Sequence, residues 1–184
     1  MERVIDYPFT EFKSALMDIY LISECRVYMG MISGILDVAL LFQRPIINVN
    51  MNNWMWGYPQ KKCDIGLLKH IYSKSKSRFL SVRECLIKSF AAPFFLPPED
   101  DYVLHENTSE ELKAVVKEFF DRGNNWEPTS LQHQFNELRV SKGREIINEV
   151  MFTADEVFPY LRRDVVNFDL VERYRYASRL DPAG

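Results

Sequence analysis

The 184-residue sequence lacks several features that would assign a chain to a class immediately. It has no apolar run of about 18 residues, so no segment is predicted to span a bilayer, and no secretory signal is visible at the N-terminus. The formal net charge is -3, and there is no basic excess to neutralise phosphates. Nucleic acid is therefore not an expected partner.

Cysteine and histidine are also scarce. The three cysteines, Cys25, Cys63 and Cys85, are widely spaced, and the three histidines form no HxxxH or HExxH pattern. This spacing predicts neither a disulfide framework nor a metal site, and it suits a reducing cytoplasm. Neither a GxGxxG motif nor a P-loop is present, so no cofactor is expected. Peripheral attachment at the inner face of a membrane stays open.

The first periodic segment predicts a helix over residues 10–23, with Thr10 as its N-cap. Phe12, Leu16, Ile19 and Ile22 recur at three- and four-residue steps. This spacing gives one apolar stripe on a helix.

The next segment predicts a strand, a glycine turn, a helix and a second strand. The first strand is predicted over residues 25–29, which include β-branched and aromatic side chains and end before Gly30. The helix is predicted over the apolar residues 35–42, after Ser33 and Gly34. The second strand is predicted over residues 46–50, after Pro45. A βαβ unit of this length implies parallel strands joined by a right-handed crossover.

The rest of the chain predicts a long loop over residues 51–66 and two capping boxes, Ser81 with Glu84 and Thr108 with Glu111. Residues 102–105 indicate a third strand of the parallel sheet, and the chain after Leu131 is helical with a polar break at 141–144. The predicted fold class is α/β: a Rossmann-like three-layer parallel sheet with flanking helices over residues 1–140, followed by a helical C-terminal extension over residues 141–184.

The candidate site is the turn over residues 30–34, between the first strand and the next helix. Ligands of open parallel sheets bind at that edge, and the free amides of a helix N-terminus receive anions such as a diphosphate. The glycines Gly30 and Gly34 allow close approach, and Ser33 offers a hydroxyl. The alternative is a tight βα turn in which Ser33 only caps the helix.

Other polar residues carry the same two interpretations. Asn50 closes the second strand and Glu106 follows the third, so each can reach a ribose or sugar hydroxyl or simply form a turn. Asp18 lies on the polar face of the first helix and Lys13 lies near a loop–helix junction, and each is either a surface residue or part of the site. A further set, Trp54, Trp56 and Tyr58, is either a stacking surface or loop packing.

A wider pattern resembles a bacterial family of predicted glycosyltransferases associated with surface-polysaccharide and O-antigen gene clusters. It extends in order over roughly residues 4–140. Its matching segments are residues 5–7, 12–14, 17–21, 25–30, 33–34, 45–46, 49–51, 64–65, 78–81 and 106–111, with Phe42 and Trp126.

This resemblance implies the C-terminal, donor-binding domain of a two-Rossmann-domain (GT-B-like) transferase. Ser33 and Gly34 would receive the diphosphate of a nucleotide-diphosphate sugar, with Asn50 and Glu106 nearby, and Lys13 and Asp18 match family positions. Ile32 stands where the family usually has a small polar residue, which implies weaker donor contacts. The acceptor domain, which supplies the catalytic base, is expected on another part of the enzyme or another chain.

Two other functions stay open at this point. The chain can be a non-catalytic α/β interaction domain that pairs with a partner transferase chain or with another copy of itself. It can also be a small α/β hydrolase, although no nucleophile elbow is present.

Overall fold

The structure is a computed structural model, and it describes residues 4–55, 61, 63–91, 101–122 and 127–157, with side chains described to residue 146. Five α-helices and six strands lie in these ranges. In chain order they are α1 (Ala15–Glu24), β1 (Tyr28–Gly30), α2 (Gly34–Leu41), β2 (Ile46–Met51), β3 (Ile65–Leu68), β4 (His70–Ser73), β5 (Arg78–Phe79), α3 (Val82–Cys85), β6 (Tyr102–His105), α4 (Ser109–Asp121) and α5 (Ser130–Val157).

The first three strands form a parallel sheet in the order β1-β2-β3. Gly30 at the end of β1 pairs with Asn48, and Met51 at the end of β2 pairs with Leu68 at the end of β3. The predicted βαβ unit is therefore confirmed as β1-α2-β2. Because the strands are parallel, their carboxyl ends share one edge of the sheet.

The second sheet is antiparallel, in the order β5-β4-β6. Residues 102–105 do form a strand, but their assignment to the parallel sheet is wrong, since β6 pairs antiparallel with β4. The third parallel strand is β3, which begins inside the predicted loop. The fold class is thus mixed α/β with a three-stranded parallel sheet, and the Rossmann-like three-layer architecture stays a prediction.

Both faces of β2 are buried. Ile46 packs with Ile22 of α1 and with Leu36 and Ala39 of α2. Ile47 and Val49, which point the other way, pack against Val115 of α4. A third cluster, centred on Trp54 and Phe90, receives Phe135 and Ile146 from α5. The alternation of side chains along β2 thus gives its two faces different helix contacts, α1 and α2 on one and α4 on the other.

The helix ends agree partly with the sequence. Both predicted capping boxes are present, at Ser81 with Glu84 and at Thr108 with Glu111. The first helix starts later than predicted, because Ser14 rather than Thr10 is its N-cap and accepts from the Met17 amide at 3.2 Å.

The last described helix, α5, runs through residues 141–144 without the predicted break, so the proposed domain boundary at residue 140 falls inside it. The division of the chain at that residue stays a prediction. Among the described residues, no helix combines the length and apolar composition needed to cross a lipid bilayer.

The apolar residues of the first helix are mostly exposed. Of its apolar stripe, only Ile22 is buried, whereas Phe12, Leu16 and Ile19 are exposed. From residue 15 onward the stripe forms on a helix, as predicted, and it is mostly exposed in the described structure.

Candidate functional site

The turn over residues 30–34 lies between β1 and α2, as predicted. β1 ends at Gly30, and α2 begins at Gly34 after the N-cap Ser33. α2 starts at the carboxyl edge of the parallel sheet, and the Leu36 amide of its first turn already donates to the Ser33 carbonyl at 3.0 Å. The Gly34 and Ile35 amides come too early in the helix to find an acceptor within it. These amides and the helix dipole together favour an anion.

The junction is open rather than filled by side chains. Ser33 is extended, with φ −163° and ψ 166°, and its hydroxyl makes no capping hydrogen bond. A Cβ added to Gly34 would meet no atom within 4 Å. Met31 and Ile32 are exposed and leave the turn uncovered. Ser33 is the N-cap residue of α2, as the alternative of a tight βα turn requires, but its side chain makes no capping hydrogen bond.

Tyr28 also belongs to this junction, although the sequence pattern indicated only a strand residue. A Cβ on Gly30 would lie 2.6 Å from the Tyr28 hydroxyl oxygen. Glycine at position 30 therefore leaves room for a phenol at the end of β1. The hydroxyl is a donor and acceptor placed beside the open turn.

Asn50 is at the same edge, but its side chain is partly used. Its backbone N–H donates to Asn107 Oδ1 at 2.7 Å, and its side-chain Oδ1 accepts from the backbone N–H of Asn107 at 2.6 Å. Asn107 Nδ2 also donates to the Leu68 carbonyl at 2.7 Å. The pair joins the ends of β2 and β3 to the start of α4, which brings Glu106 to this edge although β6 belongs to the other sheet.

Lys69 is a cation that the sequence interpretation did not single out as a site residue. It follows β3, and its amide donates to the Met51 carbonyl at 2.8 Å. Its ammonium lies 3.8 Å from Glu106, whose side chain is mostly exposed. β1 and β3 flank β2 and so are about 10 Å apart, a span that a nucleotide-diphosphate sugar exceeds.

Lys13 and Asp18 form an ion pair with each other at the start of α1. Their mutual hydrogen bond raises the pKa of Lys13 and lowers the pKa of Asp18. In the described part of the chain, no hydrogen bond or ion pair joins either residue to residues 30–34. The structure therefore places the junction, Asn50, Lys69 and Glu106 along the carboxyl edge of the parallel sheet, and shows Lys13 and Asp18 as a local ion pair.

Of the three aromatic residues of the predicted loop, the structure describes the environment of Trp54. Trp54 is fully buried, and its indole nitrogen donates to the Ile87 carbonyl at 2.9 Å, so it packs the loop and is not a stacking surface. Trp56 and Tyr58 lie outside the described residues. A small crevice of about 10 Å³ lies between Met51, Lys69 and Leu104 and includes no residue of the 30–34 turn. The candidate site is accordingly an open sheet edge, not an enclosed cavity.

Comparison of the chain with protein-family models, curated proteins and solved structures finds no match. The resemblance to glycosyltransferases stays a prediction.

Proposed function

We propose that this chain binds the nucleotide-diphosphate sugar of a glycosyltransferase that acts in surface-polysaccharide or O-antigen synthesis. In this proposal it is the donor-binding domain of a Rossmann-like, GT-B-like enzyme in the cytoplasm. The supporting observation is the open β1–α2 junction, where an unused Ser33 hydroxyl and an uncovered Gly34 precede a helix at the carboxyl edge of a parallel sheet.

The junction suits the charge of a diphosphate. Amides in the first turn of α2 would donate to its oxygens, and Lys69 would offer a cation across the edge. As the bond between sugar and phosphate breaks, negative charge grows on the diphosphate leaving group. Fixed hydrogen-bond donors at that position stabilise the charge of the transition state more than the charge of the intact nucleotide-diphosphate sugar. This difference lowers the activation barrier.

The other groups have supporting roles in this proposal. Glu106 and the Asn50 side-chain nitrogen would hold ribose or sugar hydroxyls. An acceptor hydroxyl attacks the sugar, and its proton goes to a base on the acceptor-binding part of the enzyme. No cofactor or metal takes part in this scheme.

Calorimetry with the intact protein against a panel of nucleotide-diphosphate sugars tests the proposal. The matching nucleoside diphosphates and free sugars form the other arms. At least one donor should bind with millimolar affinity or better, and its nucleoside diphosphate should retain most of the binding free energy. Silence across the whole panel would remove the proposal.

A matched pair of lysine variants locates the site. Lys69→Gln should weaken donor binding about tenfold, since a charge-assisted contact contributes about 1.5 kcal/mol. Lys113→Gln, which changes an exposed lysine of α4, should leave affinity unchanged. Equal effects of the two variants would place binding elsewhere.

A second candidate function is a non-catalytic interaction domain. The exposed apolar side chains on and around α1 favour it, because soluble monomers rarely expose large contiguous apolar patches. Stable self-association or a stable partner complex, together with no donor binding, would select this function over the first.

A further inference from the structure

The side chain of Tyr28 extends along β1 to the carboxyl edge of the parallel sheet. Tyr28 is the first residue of β1 and Gly30 is the last. Residues two apart on a strand project from the same face, so Tyr28 and the side-chain position of Gly30 share one face. A Cβ built on Gly30 would lie 2.6 Å from the Tyr28 hydroxyl oxygen, because the phenol lies over this glycine. The hydroxyl therefore reaches the residue at which the 30–34 turn begins.

The face of the sheet on which the Tyr28 ring lies is the one that α2 contacts. Tyr28 packs against the cluster formed by Ile46 of β2 with Leu36 and Ala39 of α2. Ile46 is also its direct neighbour in the register of β1 and β2. The hydroxyl is thus on the same side of the sheet as α2, at the end of β1 from which the chain turns into that helix.

The Tyr28 hydroxyl has no hydrogen-bond partner among the described residues. Its ring is half-buried, and buried tyrosine rings usually place the hydroxyl on a partner. Tyr7, also half-buried, does so by donating to the Ser14 carbonyl at 3.2 Å. The protein therefore holds the Tyr28 ring in place without using its polar end, which is available to a ligand.

A second polar side chain lies at the same level of the sheet. Asn48 pairs with Gly30 on one side and with Gly66 on the other, and it is buried. It projects from the same face of β2 as Ile46, two residues earlier. This face is thus apolar at Ile46 and becomes polar towards the carboxyl edge, through the Asn48 amide and the Tyr28 hydroxyl.

We propose that the Tyr28 hydroxyl binds the diphosphate of the nucleotide-diphosphate sugar by donating a hydrogen bond to a phosphate oxygen. This inference rests on the donor-binding function proposed above and adds a residue to that site. The diphosphate is the part of the ligand that fits, because the hydroxyl is on the α2 side of the sheet and the N-terminus of that helix favours an anion. A phenol adds one hydrogen-bond donor there without a charge.

Calorimetry of the full chain tests this contact with three nucleotide sugars, namely uridine diphosphate glucose, guanosine diphosphate mannose and thymidine diphosphate glucose. The three nucleoside diphosphates are the other arms. Tyr28→Phe should weaken a bound nucleotide sugar and its nucleoside diphosphate by the same factor, about tenfold, because each loses a hydrogen bond to a charged group. The urea midpoint of unfolding should not change, since the hydroxyl has no partner to lose among the described residues.

Tyr72→Phe is the matched control, because Tyr72 is also a half-buried strand tyrosine but belongs to the antiparallel sheet. It should leave both affinities unchanged. Gly30→Ala is the second site variant and should also weaken both ligands, since its Cβ displaces the phenol.

The outcomes separate this contact from donor binding itself. Silence of the wild type towards all six ligands would remove the donor-binding function and the contact with it. Donor binding that is equal in the wild type and in Tyr28→Phe would overturn the contact alone. It would also be overturned by a loss confined to the nucleotide sugar, by an equal loss in Tyr72→Phe, or by a lower urea midpoint of Tyr28→Phe that accounts for the weaker binding.

Discussion

Asn50 and Asn107 exchange two hydrogen bonds, each donating its backbone amide to the side-chain oxygen of the other, at 2.7 and 2.6 Å. The residues are 57 positions apart in the chain. This exchange joins the end of β2 to the turn before α4, and Asn107 adds a third bond to the Leu68 carbonyl at the end of β3. The edge of the sheet that we propose binds the donor is therefore fixed by a polar contact between two asparagines.

Replacing Asn107 should destabilise the protein. Asn107→Ala removes both side-chain hydrogen bonds of a buried residue and leaves the Asn50 amide and the Leu68 carbonyl without this partner. We expect the free energy of unfolding to fall by about 2–3 kcal/mol, measured by urea denaturation. Gln134→Ala, an exposed amide of α5, should change it by less than about 0.5 kcal/mol. A loss for Asn107→Ala as small as that of the control would contradict the account.

Asn50 has a backbone requirement that separates two substitutions. Its φ is 51°, in the left-handed region that glycine and asparagine tolerate. Asn50→Gly and Asn50→Ala lose the same side-chain acceptor, but alanine should be less stable than glycine by about 1 kcal/mol. Gln43, with φ 55° and an exposed side chain, offers the same pair of substitutions away from the Asn50–Asn107 contact. An alanine variant of Asn50 as stable as the glycine variant would show that the position is not strained.

The sequence predicted the β1-α2-β2 unit because its signals are local. Gly30 ends a strand, Ser33 and Gly34 start a helix, and Pro45 separates that helix from the next strand. β3 was missed, because Ile65–Leu68 is short, contains a glycine and becomes a strand only by pairing with β2. The partner of β6 was also wrong, since an alternating pattern predicts a strand but does not specify its neighbours.

Two site features depended on tertiary contacts that no spacing encodes. The α1 stripe correctly indicated a helix, but periodicity does not say whether the apolar side meets the core of its own chain or something else. Lys69 is distinguished from other lysines by its ion pair with Glu106, and this pair forms only because the start of α4 lies beside the end of β3. The sequence did contain one signal for this edge, because Asn107 is a polar residue between Glu106 and the capping box that begins at Thr108.

Trp54 should act in stability and not in ligand recognition. Trp54→Phe removes the hydrogen bond to the Ile87 carbonyl and leaves part of a core site unfilled. The free energy of unfolding should fall by about 1–3 kcal/mol. Affinity for any bound nucleotide sugar, measured by calorimetry at temperatures where the variant is folded, should stay within about twofold, because Trp54 is buried away from the ligand. A selective loss of affinity without loss of stability would make Trp54 a ligand contact.

Glu84 gives a pH dependence with a defined sign. Hydrogen bonds from Arg78, then from Lys76 and the Ser81 amide, lower the pKa of Glu84 far below its ordinary value of 4.5. A carboxylate with a depressed folded pKa stabilises the fold above its unfolded pKa, and this contribution is lost as the pH falls through the folded pKa.

Wild type should therefore exceed Glu84→Gln in stability at neutral pH, and the difference should shrink steadily below about pH 4.5. Denaturation at a series of pH values measures it. Glu137→Gln, in which an exposed glutamate of α5 is replaced, is the control and should show a much smaller difference. A difference between wild type and Glu84→Gln that grows on acidification would contradict the assigned ion pairs.

The most direct test of the open junction is the effect of Ser33→Asp on donor affinity and on stability in the same preparation. Aspartate is a good N-cap, so unfolding stability should rise or stay equal, while its charge at the N-terminus of α2 should repel a diphosphate and weaken binding at least tenfold. Thr129→Asp makes the same change at the N-cap of α5 and should not affect binding. Unchanged donor affinity in a stably folded Ser33→Asp protein would contradict diphosphate binding at the β1–α2 junction.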